Sequence, residues 1–178
     1  RTYLKESGIT KRILIVASPN VQDNFRLQLF DERKLKQANG MWTLNGCIGN
    51  TFIKEINPTN NVDLPKEKVV SQIKTLINKY YIFMGYESFS NYITRVSVEN
   101  NPNVTESQII KNLQLEFSNR LIVIDEVHNI RVSQENADKK VATQLMKLVT
   151  YVDNIRLLLL SATPMYNSAR EIIWLLNL

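Results

Sequence analysis

The sequence predicts an α/β fold in which helices cover both faces of a parallel sheet. Four short apolar runs are near-continuous rather than alternating, as is typical of strands buried on both faces. Between these runs, apolar residues recur at the spacing of amphipathic helices. The 178 residues, 44% of them hydrophobic and 22% charged, are enough to build one core.

The four apolar runs predict the strands in chain order. They cover residues 13–17, 81–84, 121–124 and 157–160. Two apolar stripes at offsets of four, seven, eight and eleven residues predict helices; they are Val69, Ile73, Leu76, Ile77 and Tyr80, and Val141, Leu145, Leu148, Val149 and Val152.

Helix starts are indicated by capping signals. Thr105 with Gln108, and Ser168 with Glu171, have the spacing of a capping box, and Pro65 suits the start of another helix. Residues 38–64 carry turn signals such as Asn39-Gly40, which predict an irregular excursion with a short hairpin. Residues 100–103 predict a second loop that is rich in asparagine.

Composition excludes several classes of protein. No apolar run approaches the roughly 20 residues of a membrane-spanning helix, so we expect no membrane partner. The single cysteine, Cys47, excludes an internal disulfide, and one histidine leaves too few ligands for an all-protein zinc site. No signal peptide is recognisable, which favours an intracellular protein. The net charge of +5 is concentrated in residues 1–80, which carry +6; this excess is compatible with a polyanion partner and equally with a solvated surface.

Two carboxylates follow the third predicted strand. Asp125 and Glu126 come directly after residues 121–124, and His128 completes the segment Asp-Glu-Val-His. Carboxylates at the end of a buried strand need a partner such as a metal ion, because an unpaired buried charge is costly. An ordinary acidic surface loop is the alternative. For His128 the alternatives are a structural hydrogen-bonding residue and an acid or base.

Small hydroxyl side chains follow the fourth predicted strand. Ser161 and Thr163 lie in Ser161-Ala162-Thr163, where their hydroxyls could bond to the acidic loop. A simple turn after the strand would also explain this triplet. The carboxyl ends of parallel strands form one edge of a sheet, which is where ligands bind in α/β folds.

These two segments resemble motifs II and III of the superfamily 2 helicases and translocases. The tail from Leu157 through Ser-Ala-Thr-Pro-Met-Tyr-Asn to Trp174 resembles the Snf-type ATPases and the related ATPases of large cytoplasmic DNA viruses, including poxvirus-type transcription ATPases. The resemblance implies a RecA-like P-loop NTPase fold, with residues 1–178 forming part of the helicase ATP-binding domain, the first of two RecA-like lobes, from motif Ia to motif III.

Further positions follow from the same resemblance. Ser18, Pro19 and Asn20 occupy the place of motif Ia, and Gly85 and Tyr86 lie in the place of motif Ib, so these residues are expected to bind the nucleic-acid backbone. Plain strand-to-helix turns would explain either segment. Hydroxyl, amide and free backbone N–H groups at a helix start can bind phosphate without reading bases.

The resemblance also implies ATP and Mg²⁺ as cofactors. Asp125 would hold the Mg²⁺ ion, Glu126 would activate water, and His128 would connect motif II to its neighbours. Ser161 and Thr163 would couple hydrolysis to movement. No Gly-x-x-x-x-Gly-Lys-Ser/Thr motif occurs in the sequence, so we expect an N-terminally truncated lobe that is inactive alone and works with a second RecA-like lobe.

The function implied is that of a nucleic-acid-dependent ATPase, either a helicase or a double-stranded DNA translocase, in viral transcription or DNA processing. Duplex DNA is favoured over RNA, and the host cytoplasm or the virion is the expected location. One alternative is a non-catalytic nucleic-acid-binding or scaffold lobe. Another is a P-loop ATPase of the switch or signalling type.

Overall fold

A computed structural model of the chain describes residues 6–45, 50–98, 103–130, 136–162 and 169–178. The chain divides into two compact units. One unit, here called the sheet unit, contains the residues up to Ser18 together with Ile82–Leu178. The other, here called the inserted unit, is Pro19–Tyr81.

The described strands of the sheet unit are β1 (Ile13–Val16), β4 (Tyr81–Met84), β5 (Arg120–Ile124) and β6 (Ile155–Leu159). They form a sheet in the order β4-β1-β5-β6. The pairings of β1 with β5 and of β5 with β6 are parallel, with Leu14 opposite Ile122 and Ile122 opposite Leu157. Because β1 lies between β4 and β5, the chain passes from one side of β1 to the other after β4.

The α/β fold with a parallel sheet is therefore confirmed, and all four predicted strands are present. Their bounds differ from the apolar runs by at most two residues. Strand β5 begins at Arg120, whose side chain is buried, and β6 begins at Ile155. The apolar runs miss the first residues of these strands, because the pairing of β5 with β6 includes polar residues such as Arg156.

Helices of the sheet unit cover the sheet with large apolar side chains. Phe89 and Ile93 of one helix, Leu113 and Phe117 of the next, and Leu145 further along the chain are fully buried in one cluster with strand residues. Burying an aliphatic or aromatic side chain of this size stabilises a fold by about 1.5–3 kcal/mol. The helices are α4 (Tyr86–Val98), α5 (Glu106–Phe117), α6 (Asn136–Tyr151) and α7 (Ala169–Leu176).

The start of α5 confirms one predicted cap. The Thr105 hydroxyl accepts a hydrogen bond from the Gln108 backbone N–H at 3.3 Å. The Gln108 side chain donates to Asn112 instead of returning to the cap, so half of the predicted box forms. The second predicted cap, at Ser168, lies outside the described residues, as does most of the loop at 100–103.

A polar cluster lies at the edge of the sheet where β5 begins, opposite the edge formed by the carboxyl ends of the strands. The buried Arg120 guanidinium contacts the Glu116 carboxylate at 2.7 Å and donates to the Arg12 carbonyl at 3.3 Å. Tyr92 also donates to Glu116. Burial and the neighbouring Glu116 raise the pKa of the Tyr92 phenol to about 12. The cluster gives partners to a charge that would be costly to bury alone, and it leaves only the Arg120 Nε atom without a hydrogen bond to the described residues.

The described residues of the inserted unit form three helices, a 3₁₀ turn and a hairpin. Its buried residues include Phe30, Leu44 and Phe52, together with the inward face of its longest helix. Among the described residues of the whole chain, no helix combines the length and the apolar character needed to cross a bilayer. The elements are α1 (Pro19–Leu29), the 3₁₀ turn (Glu32–Lys34), β2 (Leu35–Ala38), β3 (Met41–Leu44), α2 (Thr51–Ile56) and α3 (Lys66–Tyr80).

The short hairpin expected in this part of the chain is confirmed, and it starts three residues earlier than predicted. Asn39 and Gly40 form the turn, and both have positive φ, 51° and 73°. Two consecutive residues with positive φ match the right-handed twist of paired strands. Helix α3 follows Pro65 as predicted, but α2 was not expected, because six residues are too few to show a helical stripe.

Candidate functional site

The carboxyl ends of the strands are joined by backbone hydrogen bonds. The Asp125 N–H donates to the Val16 carbonyl at 3.0 Å, and the Ala17 N–H donates to the Met84 carbonyl at 3.1 Å. These bonds connect the end of β1 to those of β5 and β4. The segments after these strands therefore meet at one edge of the sheet, as the topology requires.

The acidic segment continues this pairing beyond the end of β5. The Leu160 N–H donates to the Ile124 carbonyl at 2.9 Å, and the Val127 N–H returns a bond to the Leu160 carbonyl at 3.0 Å. Val127 and the residues to Asn129 then form a single 3₁₀ turn. The acidic loop, defined here as residues 125–129, is thus attached to the segment that precedes Ser161.

Glu126 has a left-handed backbone conformation, with φ 45° and ψ 52°. This conformation costs a residue with a Cβ atom roughly 1–2 kcal/mol. The surrounding bonds hold the strained residue in place, since Asn129 N–H donates to the Glu126 carbonyl at 2.8 Å. Strain of this kind is concentrated at functional sites, where it directs a side chain.

His128 brings the acidic loop and Ser161 together through one ring nitrogen. His128 Nδ1 lies 3.1 Å from Glu126 Oε2 and 2.9 Å from Ser161 Oγ. A carboxylate accepts hydrogen bonds only, so its proximity favours the tautomer with hydrogen on Nδ1. The histidine side chain is 19% exposed. The expected proximity of these three residues is therefore present in the structure, while their roles stay a prediction.

Tyr86 is the first residue of α4, and its hydroxyl is directed at the acidic loop. The hydroxyl donates to the Asp125 main-chain carbonyl at 2.7 Å. Burial raises the pKa of the Tyr86 phenol, the Asn129 side chain opposes this rise, and the neighbouring Asp125 and Glu126 carboxylates add to it. Contact of Tyr86 with nucleic acid stays a prediction. Its bond to Asp125 has no signal in the sequence.

The Asp125 carboxylate has no bonding partner among the described residues. The side chain is half-buried, and its carboxylate makes no hydrogen bond or ion pair with the part of the chain that the structure describes. Within that part, no cluster of three acidic, histidine or cysteine side chains could hold a metal ion by itself. Mg²⁺ is commonly bound by one or two carboxylates together with substrate phosphates and water. Asp125 fits this kind of binding.

The remaining predicted contacts to nucleic acid lie where β1 and β4 end. Ser18 is half-exposed and is the last residue of the sheet unit before the inserted unit. Pro19 and Asn20 are exposed and begin α1 of the inserted unit. A Cβ atom placed on Gly85 would have no described atom within 4 Å, so the space beside its backbone is open. Thr163, the second predicted coupling residue, lies outside the described residues.

Comparisons with known proteins identify relatives of the chain. A protein of Acanthamoeba polyphaga mimivirus named "Putative ATP-dependent RNA helicase L377" is 26% identical over 148 residues, which is 74% of this chain and 12% of the relative. "Putative helicase 087L" of Invertebrate iridescent virus 3 is 25% identical over 107 residues, 60% of this chain and 10% of that protein. A second mimivirus protein, "Putative ATP-dependent RNA helicase R563", is 24% identical over 167 residues, 94% of this chain and 24% of the relative.

The chain thus spans a quarter or less of the length of these curated relatives. No solved structure matches it. The sequence profile of the SNF2-related domain matches residues 20–178, which is most of the chain and includes both the acidic loop and Ser161. The resemblance derived from the motifs is confirmed by this match: the chain belongs to the SNF2-related domain family.

Proposed function

We propose that this chain is the first RecA-like lobe, from motif Ia to motif III, of a nucleic-acid-dependent ATPase of the DExH type. The observation that carries the proposal is the position of His128 Nδ1 within 3.1 Å of Glu126 and 2.9 Å of Ser161. A single side chain thereby connects an acidic loop after one strand to a hydroxyl after the next. Membership of the SNF2-related domain family supports the same function.

In this proposal, Asp125 would hold Mg²⁺ together with the nucleotide phosphates, and the bound ion would supply positive charge that offsets the charge of the transferred phosphoryl group. Glu126 orients and deprotonates the attacking water. Its side chain is 42% exposed, and one oxygen, Oε2, is buried 3.1 Å from His128 Nδ1 without a hydrogen-bond partner among the described residues. The other oxygen can therefore face the ligand.

Ser161 and Thr163 couple hydrolysis to movement along nucleic acid. Ser161 supports this role by its hydrogen bond to His128, because a change in the Glu126 carboxylate would alter the bonds that His128 can make. Ser18, Pro19, Asn20, Gly85 and Tyr86 contact the phosphate backbone, and a second RecA-like lobe completes the nucleotide site. The open space beside Gly85 supports close approach of a phosphate.

Duplex DNA is the substrate we favour, and viral transcription or DNA processing is the process. The names of two relatives describe those proteins as RNA helicases, and all three relatives are viral. RNA is consequently the competing substrate. The sequence of this chain contains no Gly-x-x-x-x-Gly-Lys-Ser/Thr motif, so we expect the 178 residues alone not to hydrolyse ATP measurably.

The test uses the protein that contains this chain, with Glu126→Gln as the variant. We expect ATP binding to be retained and nucleic-acid-stimulated hydrolysis to fall at least 100-fold, the usual size of a general-base effect. Glu106→Gln, which neutralises an exposed carboxylate of α5, is the matched control and should hydrolyse ATP normally. Undiminished hydrolysis by Glu126→Gln would refute the role of Glu126.

The choice of nucleic acid is tested in the same assay with duplex DNA, single-stranded DNA and RNA at equal nucleotide concentration. The proposal expects the largest stimulation with duplex DNA. Stimulation by RNA alone would replace the substrate and leave the ATPase proposal intact. Binding of nucleic acid without any ATP binding would identify a scaffold lobe, and hydrolysis indifferent to nucleic acid would identify a switch ATPase.

A further inference from the structure

We propose that Tyr86 is a positioning residue that holds the acidic loop in its strained conformation. When the first turn of α4 is displaced, Tyr86 displaces the acidic loop with it. The expected effect on ATP hydrolysis rests on the proposed ATPase function, whereas the stabilisation of the acidic loop by Tyr86 does not. The motif at Gly85 and Tyr86 predicts only that Tyr86 contacts nucleic acid. In the structure the Tyr86 hydroxyl is bonded to the acidic loop.

The Tyr86 hydroxyl is bonded to the start of the acidic loop. It donates to the Asp125 carbonyl at 2.7 Å, directly after the end of β5. Glu126, with φ 45°, is the next residue along the chain. A conformation that costs energy persists only if its surroundings hold it, and Tyr86 supplies one of the bonds that do so.

The other end of Tyr86 is fixed to α4. The Phe89 N–H donates to the Gly85 carbonyl at 2.9 Å, which closes the first turn of the helix. Phe89 and Ile93 are 0% exposed and anchor the helix in the core. The first turn of α4 is therefore stiff. A displacement at Gly85, where backbone is open to a phosphate, moves the Tyr86 hydroxyl and with it the acidic loop.

The experiment compares Tyr86→Phe with Tyr92→Phe in the protein that contains this chain. Both variants remove one hydroxyl from α4, but Tyr92 bonds to Glu116 at the opposite edge of the sheet. ATP hydrolysis is measured with and without duplex DNA. We expect Tyr86→Phe to reduce the ratio of stimulated to unstimulated kcat about fivefold or more, with the KM for ATP within about twofold. Tyr92→Phe should keep the wild-type ratio.

Hydrogen exchange of the same variants supplies a readout that does not need activity. The amides of Val127, Asn129 and Ile130 are hydrogen-bonded within or beside the acidic loop. In Tyr86→Phe they should exchange about tenfold faster than in Tyr92→Phe, the factor expected when a hydrogen bond of ordinary strength is lost. Equal exchange in the two variants would overturn the positioning role.

The outcomes separate the inference from the proposed function. If the loop amides of Tyr86→Phe exchange faster but the ratio of stimulated to unstimulated kcat is unchanged, displacement of α4 does not act on hydrolysis through the acidic loop. A wild-type protein that hydrolyses no ATP with any nucleic acid would refute the proposed function, and the exchange rates would still decide whether Tyr86 holds the acidic loop. Faster exchange with a reduced ratio would support both.

Discussion

The contact between His128 and Ser161 predicts a measurable coupling energy between the two side chains. The atoms lie 2.9 Å apart, and the histidine side chain is 19% exposed, so water competes weakly for the bond. A hydrogen bond in this setting stabilises a fold by about 0.5–1.5 kcal/mol. We therefore expect His128→Ala and Ser161→Ala each to destabilise the chain, and the double variant to cost about 1 kcal/mol less than their sum.

The assay is urea unfolding in a Trp42→Phe background. Trp174, which packs against the core of the sheet unit, is then the remaining tryptophan and reports on that unit. His128→Asn is a useful third variant, because its amide can take the place of Nδ1 and should recover part of the coupling. The matched control pairs His128→Ala with Tyr92→Phe, whose hydroxyl bonds to Glu116.

The control pair should be additive within about 0.5 kcal/mol, as expected for side chains without shared partners. If His128→Ala and Ser161→Ala are equally additive, the bond contributes no net energy. The connection between the acidic loop and the segment after β6 would then have to depend on the backbone bonds alone.

Three further predictions concern stability. Glu116→Gln should destabilise the sheet unit by about 2–4 kcal/mol in urea unfolding, because it leaves the Arg120 charge buried without its carboxylate, whereas Lys74→Gln at the exposed pair with Glu32 should cost less than about 1 kcal/mol. A small effect at Glu116 would show that the main-chain carbonyls alone satisfy Arg120. The pKa of Tyr92 is raised from an ordinary 10.0 to about 12, so its protonated phenol adds to the free energy of unfolding below pH 10, and this contribution is lost as the pH rises toward 12. Tyr92→Phe should therefore flatten the dependence of the free energy of unfolding on pH between 10 and 12. An unchanged dependence would contradict the raised pKa of Tyr92. Gly40→Ala should cost about 1–2 kcal/mol in the thermal unfolding of the inserted unit, since φ is 73° and the new Cβ would lie 3.1 Å from Val62 Cβ; Ala38→Gly in the adjacent strand is the control for chain entropy, and equal losses would remove the argument from turn geometry.

The fold was largely predictable because its strands are buried and its longest helices are amphipathic. The stripe at 69–80 lies on α3, and the stripe at 141–152 lies on α6 except for Val152, which follows the end of that helix. The expected faces are buried, apart from half-buried positions such as Tyr80 and Val149. For helix α1 only a start near Ser18 was considered, because α1 buries no residue and has no apolar stripe that would predict its length. For helix α4 only the start at Gly85 and Tyr86 was considered, as a nucleic-acid motif or a strand-to-helix turn; Ser90 and Ser97 lie on its buried face and weaken the apolar pattern.

The candidate site was predictable to the level of which strand ends meet. Motif order placed Asp125, Glu126, His128 and Ser161 at one edge, and the structure brings the last three into contact. The bond from Tyr86 to Asp125 was not predictable. It depends on the register of β4 beside β1 and on the direction of α4, neither of which has a local signal in the sequence.

At position 126 the residue that would be most stable differs from the residue that the proposed chemistry needs. With φ 45° and ψ 52°, position 126 suits glycine or asparagine better than glutamate. Directed evolution that rewards only heat resistance should therefore replace this glutamate early. If the proposed role of Glu126 is correct, selection for ATP turnover should keep the glutamate. Proteins selected for heat resistance and proteins selected for turnover would then differ at position 126.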